Sequence, residues 1–352
     1  MNTAVLVEIP RSPGVWAQAW KRLKNDRVGM VALVITGLFI GLVLVAQLGW
    51  VASDWQREVA TPNAPPHFVG KNADGSQTAS IDIVAGPNVD LTAIDPLAPK
   101  YAEWNERASK FTTTDTVKSE TLLFGADRIG RDVIDKGIKG AQVSIAVGLA
   151  AALLATLVGT ILGALAGYFG GAVDDFLEWL YNVFTAIPYI LLVFALAAVL
   201  KSGPLAKVFG GGIWTVVIIL SVVGWTGIYR LVRAEYMKHR VREYVRAAEA
   251  IGASHASRMF VHILPNISHV VLVQLSLHVV SFIKSEVILS FLGMGVPLEM
   301  VSWGTMLSEA STDLVQGFWW QLAIATALMA TFVTAFALLT DALRDALDPK
   351  LR

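Results

Sequence analysis

Five stretches of this chain run for 22 residues or more without a charged side chain: 28–53, 145–168, 179–200, 208–229 and 314–340. The hydrocarbon core of a bilayer takes about 20 helical residues to cross. Inside lipid a chain must satisfy its own backbone polar groups, and a helix does so within one segment. The uncharged runs therefore predict an all-α membrane protein. A sixth apolar stretch, 263–296, is interrupted by Lys284 and Glu286.

The distribution of basic residues bears on whether that sixth stretch crosses. With six spans, both termini lie on one side. That side then collects 5 Lys and Arg before the first span, 7 in 230–262 and 3 in the tail, whereas the two short loops opposite hold 2 and 0. Short cytoplasmic loops carry the excess of positive charge. Six transmembrane helices with cytoplasmic N and C termini are the expectation. The 10 basic residues in 54–141 do not oppose it, because long loops translocate largely regardless of charge. The basic tail before residue 28 is followed by a run too long for a cleavable signal, so 28–53 is expected to stay as an anchor.

The divisions that follow are a cytoplasmic segment 1–27, a first helix 28–53, an external loop or insertion 54–139 rich in Pro, Gly, Asn and Asp, a helical domain 140–341 and a cytoplasmic tail 342–352. In the second span Ala151, Ala155, Gly159, Gly163 and Gly167 recur every four residues. Small side chains on one face let helix backbones approach closely, either within one subunit or between two. Trp16, Trp20 and Leu23 share one face of a short N-terminal helix, suited to the inner leaflet or to extending the first span.

Composition agrees with a membrane protein. Charged residues make up 16% of the chain against 55% hydrophobic ones, where a soluble domain has about 25% charged. Net charge is zero, which gives no sign of nucleic-acid binding. There is no cysteine, so thiolate chemistry and disulfides are excluded, and no cluster has metal-ligand spacing. No G-x-x-x-x-G-K-[ST] sequence occurs to cradle a nucleotide phosphate.

Against this background 243–266, EYVRAAEAIGASHASRMFVHILPN, stands out as polar and basic. Its small residues Ala247, Ala248 and Ala250 precede Gly252, which can adopt positive φ, end one helix and turn the chain into the next. Pro265 falls where the following membrane helix is expected to begin. Arg240, Arg242, Arg246 and Arg258 could meet a partner's acidic groups or anionic lipid. An ordinary basic loop that only sets topology would read similarly.

The spacing Ala247, Ala248, Gly252, then Leu264 and Pro265, resembles the coupling loop of ABC importer permeases. FGADRIGRD (124–132), GAQVS (140–144), AGYFGGAVDDF (166–176), LSFLGMG (289–295), SWGTML (302–307), DALRDALDPKLR (341–352) and WKRLKNDRVG (20–29) are similar, in this order, to the dipeptide/oligopeptide/nickel branch. The long segment after the first span and the tail look like that branch's second, C-type subunit. Arg246 and His262 stand where the general motif has glutamate and isoleucine. Gly125-Ala126-Asp127 lacks the hydroxyl of the family's G-T-D.

The resemblance implies the type-1 permease fold and a heterodimer with a homologous second permease subunit. It also implies two cytoplasmic ATPase subunits that carry ATP and Mg, an extracytoplasmic substrate-binding protein and surrounding membrane lipid. No cofactor is expected on this chain. The coupling loop 240–265 would carry Arg246, Ala247, Ala248, Gly252, Ala253, Leu264 and Pro265, and an aspartate at Gly252 or Ala248 would uncouple transport. The cargo expected is a di- or oligopeptide or a related small solute.

On the fifth span Gln274, His278, Ser281 and Ser285 project within about 60° of one another at 100° per residue. Such a stripe could line a translocation pathway or serve interhelical hydrogen bonds. Lys284 and Glu286 are candidate intramembrane charges pointing in nearly opposite directions. A secondary transporter or channel not driven by ATP is the alternative. It would more often show internal repeats and leave the basic loop unexplained. An intramembrane enzyme would need a converging nucleophile and base, and Ser276 and His278 do not face each other.

Overall fold

The computed structural model describes residues 15–70, 95–109, 118–202, 212–297 and 299–347. It separates into two compact units, one of residues 56–133 and one of the remainder.

The larger unit is helical. A short α1 (Val15–Asn25) leads into α2 (Arg27–Gln47), and Asp26 caps the junction by accepting the Val28 N–H at 3.0 Å. Ser12, which the sequence offers as a cap for this short helix ahead of Pro13, lies outside the described residues. On α1, Leu23 is buried whereas Trp20 is about half exposed. Among the described residues five helices are long and apolar enough to cross a membrane, or six if one bent pair is a single span.

Several expected boundaries move. The first helix ends at Gln47, six residues before the uncharged run does. The second, α4 (Val133–Phe169; α3 lies in the smaller unit), starts twelve residues before its own run. The run 179–200 is not one continuous helix. It breaks into α5 (Gly171–Thr185) and α6 (Tyr189–Ser202), bent by 89°. Pro188 sits in the break. It has no N–H to donate, and its ring clashes with the carbonyl four residues back. The Thr185 hydroxyl also bonds back to the Tyr181 carbonyl at 3.0 Å, a contact that tends to bend helices.

The fourth span is α7 (Ile213–His239); residues 208–211 of its expected run fall outside the described residues. A short α8 (Glu243–Ala250) follows, then α9 (His255–Phe291). Lys284 and Glu286 do not interrupt α9. The run 314–340 also divides. α10 (Trp303–Val315) is followed by Gly317, whose φ of +94° closes a Schellman turn, and α11 (Trp320–Leu347) begins only after it.

The small-residue face of α4 packs against α7 of the same chain. A Cβ on Gly163 would lie 2.6 Å from the Tyr229 carbonyl oxygen, and one on Gly159 2.5 Å from that of Trp225. Gly167 meets the Arg233 carbonyl in the same way. The two backbones touch with no room for a side chain, so this face is used for internal packing. Around that seam Ile228, Val232 and Tyr236 of α7 form a buried cluster with Val245 of α8 and Met259, Ile263 and Ile267 of α9.

The smaller unit has isolated bridges, such as Glu58 with Arg131 and Pro66 with Leu122, around Ala60, Ala64 and Ala126. Within it α3 (Tyr101–Ser109) is a short helix. The Asp127 carboxylate accepts the backbone N–H groups of Ile129 and Arg131 at 3.1 and 3.0 Å and pairs with the Arg131 guanidinium at 2.6 Å. Ala126, in the place of the missing hydroxyl, is fully buried and donates its N–H to the Ala64 carbonyl.

Candidate functional site

Residues 240–265 form two helical pieces joined by a turn. α8 ends in a second Schellman turn: the Gly252 N–H reaches the Glu249 carbonyl at 2.9 Å and the Ala253 N–H that of Ala248 at 3.0 Å. Gly252 has φ +84° and open space around it, so backbone conformation is its reason for being glycine. Ser254 then caps the next helix by accepting the Ser257 N–H at 3.2 Å.

The inner face of this segment is fixed to the membrane helices. Val245 and Ala248 are buried. The Tyr236 hydroxyl of α7 donates to the Met259 carbonyl at 3.1 Å. Arg258 does not face outward as a free cation. It is buried, pairs with Glu249 at 2.5 Å, approaches His255 Nδ1 at 2.9 Å and lies over the Tyr168 ring of α4. Arg240 is exposed and bonds the Tyr168 carbonyl. Burial raises the Tyr244 phenol above its usual range, with Arg242 pulling the other way, so it stays neutral beside His239 at 2.7 Å.

The outer face is left open. Arg242, Arg246, Ala247, Gly252 and Pro265 are exposed, Ala253 and Leu264 half-buried, and Ile251 is 85% exposed. Seven sequence-selected positions thus divide: Ala248 belongs to the anchored face and Arg246, Ala247 and Gly252 to the open one. An aspartate at Ala248 would be buried among apolar groups and would damage folding before any docking.

Pro265 is the second residue of the α-helical stretch Leu264–Phe291, the first-turn position expected for it; what the sequence does not announce is the winding ahead of it. α9 is already helical from His255, and residues Arg258–Ile263 form a π-type segment just before Leu264. There the Leu264 N–H bonds five residues back, to Met259. Such bulges and re-satisfied carbonyls are how membrane helices accommodate an internal proline.

Along α9, Gln274 Nε2 lies 3.2 Å from His278 Nε2, and His278 Nδ1 lies 3.1 Å from the Thr156 hydroxyl of α4. The Ser285 hydroxyl is 3.1 Å from that of Tyr189 on α6. Gln274 is half-buried, His278 and Ser285 are buried, and Ser281 is exposed. His278 and Ser285 thus serve interhelical hydrogen bonds, while Gln274 also borders a cavity of about 320 Å³ with Leu231, His269 and Arg344.

Lys284 and Glu286 part as expected. Lys284 is exposed and Glu286 is fully buried. Glu286 accepts the hydroxyls of Ser144 and Ser290 at 2.7 and 2.6 Å, and Ser144 also takes the Trp303 N–H at 3.2 Å. This network joins α4, α9 and the start of α10. A second one joins Lys136 of α4, Glu309 of α10 and Gln321 of α11. Sequence reasoning did not select Ser144, Lys136, Glu309 or Gln321. Ser144 and Trp303 lay within quoted motifs; nothing local marked the Lys136–Glu309 pair, 173 residues apart.

A family model described as binding-protein-dependent transport system inner membrane component matches residues 159–352, and one for the N-terminal membrane domain of oligopeptide transport permease C matches 14–66. The chain is 34% identical over 255 residues to the oligopeptide transport system permease protein OppC of Bacillus subtilis, covering 72% of this chain and 80% of that one. It is 31% identical over 334 residues to the dipeptide transport system permease protein DppC of the same organism, covering 95% and 85%. To the glutathione transport system permease protein GsiD of Escherichia coli it is 37% identical over 352 residues, covering 100% and 96%.

Proposed function

Since the chain belongs to the binding-protein-dependent transport system inner membrane components, the permease subunits of ABC importers, we propose that it carries small peptides inward and is driven through the segment 240–265. Its relatives include permeases named for oligopeptides, dipeptides and glutathione, which supports a peptide cargo. The full assembly would pair it with a homologous permease subunit, two cytoplasmic ATPases and an extracytoplasmic binding protein. ATP and Mg would be bound by those ATPases, and this chain would form or break no covalent bond. Both termini and the segment 240–265 would lie in the cytoplasm.

The observation that carries the coupling role is the two-sided build of that segment. One side is locked to α4 and α7 by Tyr236, Arg258 and the buried Val245–Met259 cluster. The other presents Arg246, Ala247, Gly252 and Ile251 to solvent. A force applied to the open side passes to α7 and α9 without bending a flexible loop. Closure of the ATPases would then rock the helices between inward- and outward-open arrangements, and the α9 stripe near Gln274 would border the pathway.

The test is depletion of a defined peptide mixture from the medium, followed by mass spectrometry. Cells with the native gene, a deletion and Gly252→Asp are compared. Peptides that persist in both altered strains support the reading and identify the cargo. Equal depletion in all three, in a strain without other peptide importers, overturns peptide import.

A further inference from the structure

We propose that the cavity between α7, α9 and α11 is a weak anion site that receives the C-terminal carboxylate of a peptide in transit, with Arg344 as its cation. The proposal rests on peptide import being the chain's function. The cavity is lined by Leu231 of α7, by His269, Val270, Val273, Gln274 and Leu277 of α9, and by Arg344 and Leu347 of α11. Its volume of about 320 Å³ is at the small end of ligand pockets, roughly 300–1,000 Å³. A space of that size accommodates the end of a peptide.

Its walls are apolar apart from three groups, and none of the three is acidic. Arg344 is exposed, and among the described residues no hydrogen bond or ion pair engages it. The acidic neighbours on α11 do not occupy it. Asp345 lines a separate hollow with Arg22 and Asp26, and Asp341, one turn back, forms no ion pair with Arg344 among the described residues. A guanidinium presents a planar fork of donors that matches a carboxylate. Gln274 adds an amide beside it and continues, through His278, into the buried contact with Thr156.

A carrier of varied peptides must hold what does not vary. Every unmodified linear peptide ends in a carboxylate, whatever its side chains, and the flanking Leu231, Val270, Val273 and Leu277 offer non-specific apolar contact. An exposed arginine holds an anion weakly, because water screens the pair. Weak binding is what a site on a pathway requires, since the cargo must also leave. The headgroup of an anionic lipid would satisfy the same guanidinium, so the experiment has to separate the two sources.

The assembled transporter, with both permeases, both ATPases and the binding protein, is reconstituted in vesicles. Uptake of a radiolabelled tripeptide is compared for the unaltered complex, Arg344→Gln, Arg344→Lys and the cavity-filling Leu231→Trp. The vesicles are made of phosphatidylcholine alone or with added phosphatidylglycerol. The expected result is an uptake loss of about tenfold for Arg344→Gln and several-fold for Leu231→Trp. Arg344→Lys should retain at least half, binding-protein-stimulated ATP hydrolysis should be maintained, and the pattern should be the same in both lipids. Wild-type uptake by Arg344→Gln would overturn the proposal, as would a lysine variant no better than glutamine. A defect confined to vesicles with phosphatidylglycerol would assign the cation to lipid and overturn it too. Should Arg344→Gln fail to assemble, Leu231→Trp decides alone. If the unaltered complex imports no peptide, the failure is that of the proposed function.

Discussion

Arg258 and Glu249 close on each other at 2.5 Å across the Gly252 turn, pinning α8 to the start of α9. The arginine side chain is 10% exposed and the glutamate 62%, so the pair is half-sheltered. Removing either partner should loosen the hinge. In a double-mutant cycle of Arg258→Ala and Glu249→Ala, thermal inactivation of the solubilised complex should show a coupling of about 1 kcal/mol, the upper end for a solvent-exposed pair. Each single variant should import fewer peptides per ATP hydrolysed. Additive single effects would mean the contact does not hold the segment.

Substitutions at Gly252 should rank by tolerance of positive φ, since nothing lies within 4 Å of its would-be Cβ. A left-handed residue costs about 1–2 kcal/mol when not glycine, less for asparagine. Uptake should therefore fall in the order Asn, Ala, Val, with asparagine the mildest although it is larger than alanine. A ranking by volume instead, alanine mildest, would point to crowding by a docked partner.

Gly163→Val should prevent accumulation of folded protein in the membrane. Its Cβ would meet the Tyr229 backbone oxygen at 2.6 Å, and overpacking of a close helix pair costs about 1–3 kcal/mol. Gly41→Val on α2, where nothing lies within 4 Å, is the matched control and should accumulate normally. Equal levels of the two would contradict the close α4–α7 seam.

Glu286→Ala should destabilise the complex more than Glu286→Gln. The alanine leaves the Ser144 and Ser290 hydroxyls without their acceptor, at about 1–3 kcal/mol for a buried group left unpaired. Glutamine keeps one acceptor oxygen. Melting temperatures of the purified complexes check the order, and equal shifts would remove Glu286 from its place as the hub of α4, α9 and α10.

What the sequence conveyed and what it concealed have physical explanations. Uncharged runs report where lipid can lie, and each of the five overlaps an apolar helix or helix pair among the described residues, whereas α9 carries Lys284 and Glu286 and needed the loop charges to be counted as a span. They do not report backbone breaks, so the bend at Pro188 and the Gly317 turn inside 314–340 were absorbed into single runs. Pro265 does mark the first turn of the α-helical stretch Leu264–Phe291, whereas the π-type segment that winds the chain ahead of it carries no local sequence signal. In the segment 240–265, composition singled out Ala247, Ala248 and Gly252 together, and only packing divides Ala248 from the other two. Arg258 looked like a free cation because its partner Glu249 lies across a turn. The Ser144 partner of Glu286 and the Glu309 and Gln321 partners of Lys136 come from helices more than a hundred residues away, a distance over which periodicity carries no signal.

The most direct test of the account is peptide uptake by the reconstituted transporter in sealed vesicles with ATP inside and binding protein outside, with Gly252→Asp beside the unaltered chain. The account predicts ATP-dependent uptake by the unaltered complex and its loss, by about tenfold or more, in the variant, with the variant permease still assembled at normal amount and its ATPases still hydrolysing at their basal rate. Uptake that proceeds without ATP, or that survives unchanged in Gly252→Asp, would contradict the claim that the segment 240–265 couples this permease to its motor.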